Sequence, residues 1–147
     1  MYRQTTPRII ARGVAAVEFA VLLPPVVLII LGAIEAARAF AVQHALQEAS
    51  TNGCRIYALG DKTQQEAVDM IDLSLADSGF IGYSIQFAPA LKDDIDHNLE
   101  PVAVTISIPF HKVGFGLGGA LAGSTIAATS VLPADLLGAD TTLNSSP

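Results

Sequence analysis

RGVAAVEFAVLLPPVVLIILGAI, Arg12–Ile34, decides how the rest of the chain is read. From Val14 to Ile34 it runs 21 residues with one charge, Glu18. At about 1.5 Å of rise per residue a helix of that length reaches roughly 30 Å, the thickness of a bilayer's hydrocarbon core. Two features do not belong to a plain spanning helix. A carboxylate lies almost at its start, and Pro24-Pro25 interrupts it.

The flanks give the segment a direction. Arg3, Arg8 and Arg12 precede it with no acid among them, and only Arg38 follows within the next fifteen residues. By the positive-inside rule the N-terminus stays cytoplasmic and the body is exported. Three of the chain's 8 Lys and Arg sit in that leader, so five remain against 14 Asp and Glu in the body. An acidic body argues against nucleic acid as a partner, since phosphates need cations. The 51% hydrophobic content and positive mean hydropathy come largely from the apolar run, and 147 residues leave room for one modest domain after it. A single cysteine, Cys54, excludes an internal disulfide.

Three readings of the N-terminal region compete. A cleavable secretory signal has the basic start but too long an apolar run, and its small-residue site Ala39-Phe40-Ala41 lies beyond Glu35 and Arg38. A plain signal anchor leaves Glu18 near the interface, reaching back to water. A signal cut on the cytoplasmic side, before the apolar run, gives Glu18 a role. A carboxylate in lipid costs on the order of 2.5–3.5 kcal/mol on insertion scales, so such a residue usually has a partner. A cut after Gly13 would free a charged α-amine on Val14, on the same chain or a neighbouring copy. Opposite charges in a low-dielectric setting attract strongly and fix the register between helices.

Arg12–Phe19, RGVAAVEF, resembles the processing site of type IV pilins and pseudopilins: a basic leader, a glycine before the scissile bond, and a glutamate fifth after it. The continuation AVEFAVLLP and the helix beyond resemble the TadE-like pseudopilins, or minor pilins, of the tight-adherence (Flp) type IV pilus system. The resemblance is close from Arg12 to Tyr57 and holds only in outline afterwards. It implies that Gly13 precedes the cut, Val14 becomes the mature N-terminus, Glu18 is the assembly carboxylate and Phe19 the aromatic beside it. The implied partners are a prepilin peptidase, other pseudopilins and the major pilin, the inner-membrane assembly platform, and membrane lipid. The implied place is the bacterial inner membrane, single-pass, with a periplasmic head that is carried outward in a pilus. Members also tend to carry a basic-acidic pair near the end of the last strand; here Thr129–Leu137 has Asp135 and no arginine.

Pro24 and Pro25 each lack an N–H and kink a helix interior. Either a local kink without function or a bend or melted turn that helps helices pack accounts for them. In membranes the freed carbonyls can be satisfied by neighbours.

Beyond Ile34 the sequence predicts an α+β head. Val42, Leu46, Ala49, Gly53 and Ile56 recur at spacings of four and three, one helical stripe that continues the first helix to about Leu59. Glu35, Arg38, Gln43, Gln47, Asn52 and Arg55 fall on other faces, with Glu35 and Arg38 able to pair. Gly60-Asp61 breaks the helix. Thr63-Gln64-Gln65-Glu66 is a capping box for a second helix of about fifteen residues, with Val68, Ile71 and Leu75 apolar and Ser78-Gly79 at its end. Ile81, Tyr83, Ile85 and Phe87, then Val102, Val104, Ile106, Ile108 and Phe110, alternate with smaller or polar residues. Period two with one apolar face predicts strands covered on one side by the helical stripe. Pro101 and Pro109 mark strand ends or an edge. Thr125–Leu132 is a weaker third strand of a small antiparallel sheet.

The segments divide as a cytoplasmic leader at 1–13, removed on processing, a transmembrane and assembly helix at 14–34, an exported head at 35–135, and a flexible tail at 136–147. Chemistry-bearing motifs are sparse. Asp94-Ile95-Asp96-His97-Asn98 begins like a calcium loop, but Leu99 stands where glycine is required and Thr105 where the closing glutamate belongs. The loop Lys92–Glu100 is therefore read as a solvated hairpin, with an adventitious cation as the other reading. The five glycines between His111 and Ser124 read as a flexible connection rather than a phosphate cradle, which needs a following helix and a cation. His44, His97 and His111 show no metal spacing. No catalytic residue, metal or cofactor is expected. Two function classes remain: a structural pilus subunit, or a membrane-tethered module, binding without catalysis in preference to an enzyme.

Overall fold

One helix forms the axis of the molecule. A computed structural model describes residues 8–114 and 123–136, with side chains from Val14 onward. In it α1 spans Arg8–Ala58, 51 residues, without a break in helical backbone at Pro24 or Pro25. No turn is melted at the proline pair. α1 contains an 18-residue window of mean hydropathy 2.6, long and apolar enough to cross a membrane by length and composition, and none of that window is buried by the rest of the chain. The glycine-rich connection at 115–122, the tail from residue 137, where Asn144-Ser145-Ser146 fits a short glycosylation motif, and the first seven residues lie outside the described residues.

The C-terminal half of α1 carries the head. α2 (Gln64–Ala76) follows a tight break and packs back on α1. β1 (Ser84–Ala88), β2 (Pro101–Pro109) and β3 (Thr125–Pro133) form an antiparallel sheet in the order β1-β2-β3, with Ile106 of the central strand opposite Ile85 on one side and Ala128 on the other. The fold is α+β, as the alternation and the stripe predict. Pro101 and Pro109 are the two ends of β2, where a missing N–H costs the ladder least.

The core lies between α1 and the sheet. Val102, Val104, Ile106 and Ile108 are fully buried beneath Val42, Leu46 and Ala49 of the stripe, while the alternate residues of β2 remain partly exposed. Burying a side chain of this size is worth about 1.5–3 kcal/mol. The stripe is broader than its spacing indicates: Ser50, Cys54, Tyr57 and Ala58 are buried too. α1 and α2 approach closely at Gly53, where an added Cβ would fall 2.4 Å from Ile71 Cγ1.

α2 is 13 residues long, close to expectation, and starts with the full capping box: Thr63 Oγ1 accepts from the Glu66 N–H while Glu66 accepts from the Thr63 N–H. This reciprocal bonding pulls the Glu66 carboxyl below its usual range, first through the Thr63 backbone bond. On its inner face Ala67, Ile71 and Leu75 are buried, with Val68 at the margin.

β1 is shorter than its alternation predicts. Ile81 is 81% exposed, because Gly82 at φ 75° turns the chain before it becomes extended at Ser84. Tyr83 keeps its inward place and its hydroxyl donates to Asp72 Oδ1 at 2.6 Å, tying the entry of β1 to α2. Burial, then the bond to Asp72 and its charge, push the Tyr83 phenol up to about 12.

The end of α1 is closed from far along the chain. Asp135 N–H donates to Ala58 O at 2.7 Å, and Gly60 N–H donates to Asp135 O at 2.8 Å. The Lys92 ammonium donates to the carbonyls of Leu59 and Lys62 and lies 5.9 Å from the Tyr57 ring centroid. Carbonyls at a helix end lack intrahelical donors, and a cation there also meets the negative end of the helix dipole.

Candidate assembly site

The bare half of α1 is where the residues singled out by sequence fall. Val14 (53% exposed), Glu18 and Phe19 (66% exposed) all face away from the head. Val14 and Glu18 are one turn apart, about 6 Å along the axis and on one helix face. Glu18 is an exposed carboxylate ringed by apolar neighbours: Val14 and Ala15 in the turn before, Val21 and Leu22 in the turn after. Gly13 lies within the helical backbone, so the Gly13–Val14 peptide is part of α1 rather than of a loop.

The prolines act just beyond. Pro24 and Pro25 remove the N–H groups that would meet the carbonyls of Ala20 and Val21. Two adjacent acceptors on an uncovered apolar helix are thus left without their helical donors, one turn past Glu18. This is the place in the anchor half where bending disturbs the fewest hydrogen bonds.

At the junction of the two halves stands Glu35, expected on a face other than the apolar stripe. It is 6% exposed. The turn that follows β2 lies over it: a Cβ added at Gly114 would come within 2.8 Å of both Glu35 Oε1 and Phe110 Cε1. The signal is present in the periodicity, since Glu35, Val42 and Ala49 are spaced by sevens, although the apolar stripe is read only from Val42 onward and Glu35 is set on another face.

A second unforeseen group is the polar bolt between α1 and β3. Ser130 Oγ receives Gln47 Nε2 at 3.1 Å and lies 2.9 Å from both Ser50 Oγ and Thr51 Oγ1. Gln43 Nε2 donates to Ala127 O at 3.0 Å, and the Cys54 thiol donates to Ser130 O at 3.4 Å. Each partner alone reads as surface or neutral core; the register of helix against strand brings them together.

Among the described residues no three His, Cys, Asp or Glu side chains gather as metal ligands would. His44 lies on α1, His97 in the loop before β2 and His111 in the 3-10 turn after it. In the Lys92–Glu100 loop, Glu100 Oε2 accepts from the N–H groups of Asp96 and His97, and Leu99, at the position where a calcium loop needs glycine, has φ 68°.

The family model described as TadE-like protein matches residues 13–55. The similarity to that family extends over this segment. It lies wholly within α1, from Gly13 to the turn before the helix ends, and holds both the bare apolar half and most of the head-covered stripe. The matched residues include the apolar stretch of α1 that is long enough to cross a membrane. α2 and the sheet lie beyond the matched residues. No curated protein and no solved structure matches the chain.

Proposed function

We propose that this chain is a pseudopilin, or minor pilin, of a tight-adherence (Flp) pilus. In this reading a prepilin peptidase cuts between Gly13 and Val14 at the cytoplasmic face of the inner membrane. Residues 14–34 span the bilayer with the N-terminus inside, and residues 35–135 are exported as the head, followed by a tail at 136–147. The freed Val14 amine meets Glu18 of its own or a neighbouring copy, setting the register as apolar helices pack beside other pseudopilins and the major pilin on the assembly platform. Phe19 packs beside the carboxylate, and the Pro24-Pro25 pair lets the anchor half bend relative to the head.

The observation that carries this reading is the disposition of α1. Its TadE-like segment presents Val14, Glu18 and Phe19 on a helix half that the head leaves bare. Helices leaving lipid can recover roughly 25 cal/mol per Å² of apolar area by covering one another. A carboxylate on such a surface penalises every register in which it lacks a cation.

Two variants test it. Gly13→Asp puts charge and bulk at the scissile bond; mass spectrometry of the membrane fraction is expected to show the uncut chain, and a normally shortened product would contradict the site. Glu18→Val is expected to insert and fold as the parent does but to be lost from sheared pili. Incorporation at the parental level would remove the register role. An intact or distally cut native chain would favour the other reading, a single-pass anchor bearing a small non-catalytic binding domain.

A further inference from the structure

The sheet has a face that α1 does not cover, and its composition is unlike the rest of the head. It is built by Ser84, Gln86 and Ala88 of β1, Ala103, Thr105 and Ser107 of β2, and Ala127, Thr129 and Val131 of β3, aligned in three rows across the strands. All are exposed or half-exposed, and none is charged, in a body with 14 acids against five basic residues after the leader. Its hydroxyls already serve one another: Ser84 Oγ and Ser107 Oγ are 2.8 Å apart, as are Thr105 Oγ1 and Thr129 Oγ1. Polar atoms that keep a partner are not stranded when water is excluded.

We infer that this face is a docking surface for a second copy of the chain, sheet against sheet. Charge is the first argument: two acidic heads repel wherever their carboxylates meet, and this face is where they approach without that cost. Membrane geometry is the second. α1 runs along β3, since Gln43 meets Ala127, Ser50 meets Ser130 and Ala58 meets Asp135 in the same order. A two-fold axis parallel to α1 therefore also runs along the strands, and can stand just outside the open face, parallel to the plane of the sheet. It apposes two such faces while both helices point the same way into one membrane. Antiparallel pairing of the β3 edges of two copies does the opposite: its axis is normal to the sheet, so one anchor would point away from the bilayer.

The size of the face sets the strength. Two nine-residue strands and one of five residues, at about 3.3 Å per residue and about 4.8 Å apart, bound an area of roughly 300–400 Å² per copy. That is about half of a standard interface. The dimer is consequently weak between heads in solution and forms when two chains share a membrane, where the effective concentration is high. Under this axis β2 faces β2, so Thr105 and Ser107 approach their own counterparts.

Single-cysteine cross-linking of the full chain in membranes tests this, with a short bis-maleimide as the probe. Cys54 is fully buried and serves as the background. Ser107→Cys is expected to give a homodimer, whereas Gln65→Cys, exposed on α2, gives none. Adding Thr105→Lys to the Ser107→Cys chain is expected to cut the dimer at least about tenfold, because like charges meet at the axis. Ala127→Lys, at a more exposed position, repeats the test if Thr105→Lys does not fold, the unfolding midpoint being the check. Cross-linking no greater at Ser107→Cys than at Gln65→Cys, a product joined only to a different protein, or no loss in the folded lysine variants overturns the inference. The cut and Glu18 play no part in this readout, so its outcome is separate from the pilus reading.

Discussion

The two halves of α1 obey the same helical geometry and opposite rules of burial. From Val14 to Ile30 every side chain is exposed, and the residues are almost uniformly apolar. From Val42 to Ala58 a single stripe is buried and the other faces are polar. In water the first half would be a large exposed patch of the kind that marks a membrane or protein contact. The second half is an ordinary core helix. The difference teaches that helix formation here is not a consequence of one environment: lipid or neighbouring helices must complete the first half, and the sheet completes the second.

The sharpest way to break that comparison is to remove equal bulk from each half. Leu46→Ala, in the fully buried stripe, is expected to lower head stability by about 2–5 kcal/mol. Ile29→Ala in the bare half should leave the unfolding of the head unchanged. Urea unfolding of detergent-solubilised protein, followed by tyrosine emission, measures both. Equal losses would mean that the halves are coupled and the division at the junction is wrong.

A smaller effect sharpens the contrast between apolar and polar contacts within the covered half. Ser130→Ala removes the atom shared by Gln47, Ser50 and Thr51 and should cost about 1–3 kcal/mol. Replacing Ser50 as well should cost less than the sum of the two single changes, since both act on one network.

The smallest expected effect is a pH dependence confined to the head. Tyr83 is held protonated up to about 12, whereas an unfolded tyrosine ionises near 10. Between these values the unfolded chain binds fewer protons than the folded one, so stability falls as pH rises. The contribution is complete below pH about 10 and lost by about 12. The alkaline unfolding midpoint of Tyr83→Phe should therefore depend less steeply on pH over that window than the parent's.

Much of this was legible in the residues. Hydropathy located the apolar half of α1, period two located β2 to within a residue at each end, with Phe110 falling in the 3-10 turn after it, and Thr63 with Glu66 marked the start of α2. What failed did so for local reasons. Alternation placed Ile81 inward, but one left-handed glycine turned it out. Glu35 is set on a face other than the stripe, although the spacing of Val42 and Ala49 puts it on the buried line. Ser130 and Tyr57 could not be read at all, because their partners, Gln47 and Pro89 among them, come from tertiary register. Of the candidate assembly site, the sequence supplied residue identities; the structure added that the head leaves Val14, Glu18 and Phe19 uncovered.

The closure of α1 by Asp135 and Lys92 bears on how the head is made. Ser50 and Ser130 are 80 positions apart, and the bonds to Ala58 and Gly60 wait for Asp135. Contacts of such long sequence separation form slowly. The first helix is therefore synthesised whole and available to lipid long before its far end can be sealed. Synthesis of nearly the entire polypeptide must precede closure of the domain, so exposure of the apolar helix and completion of the head are ordered in time by connectivity alone.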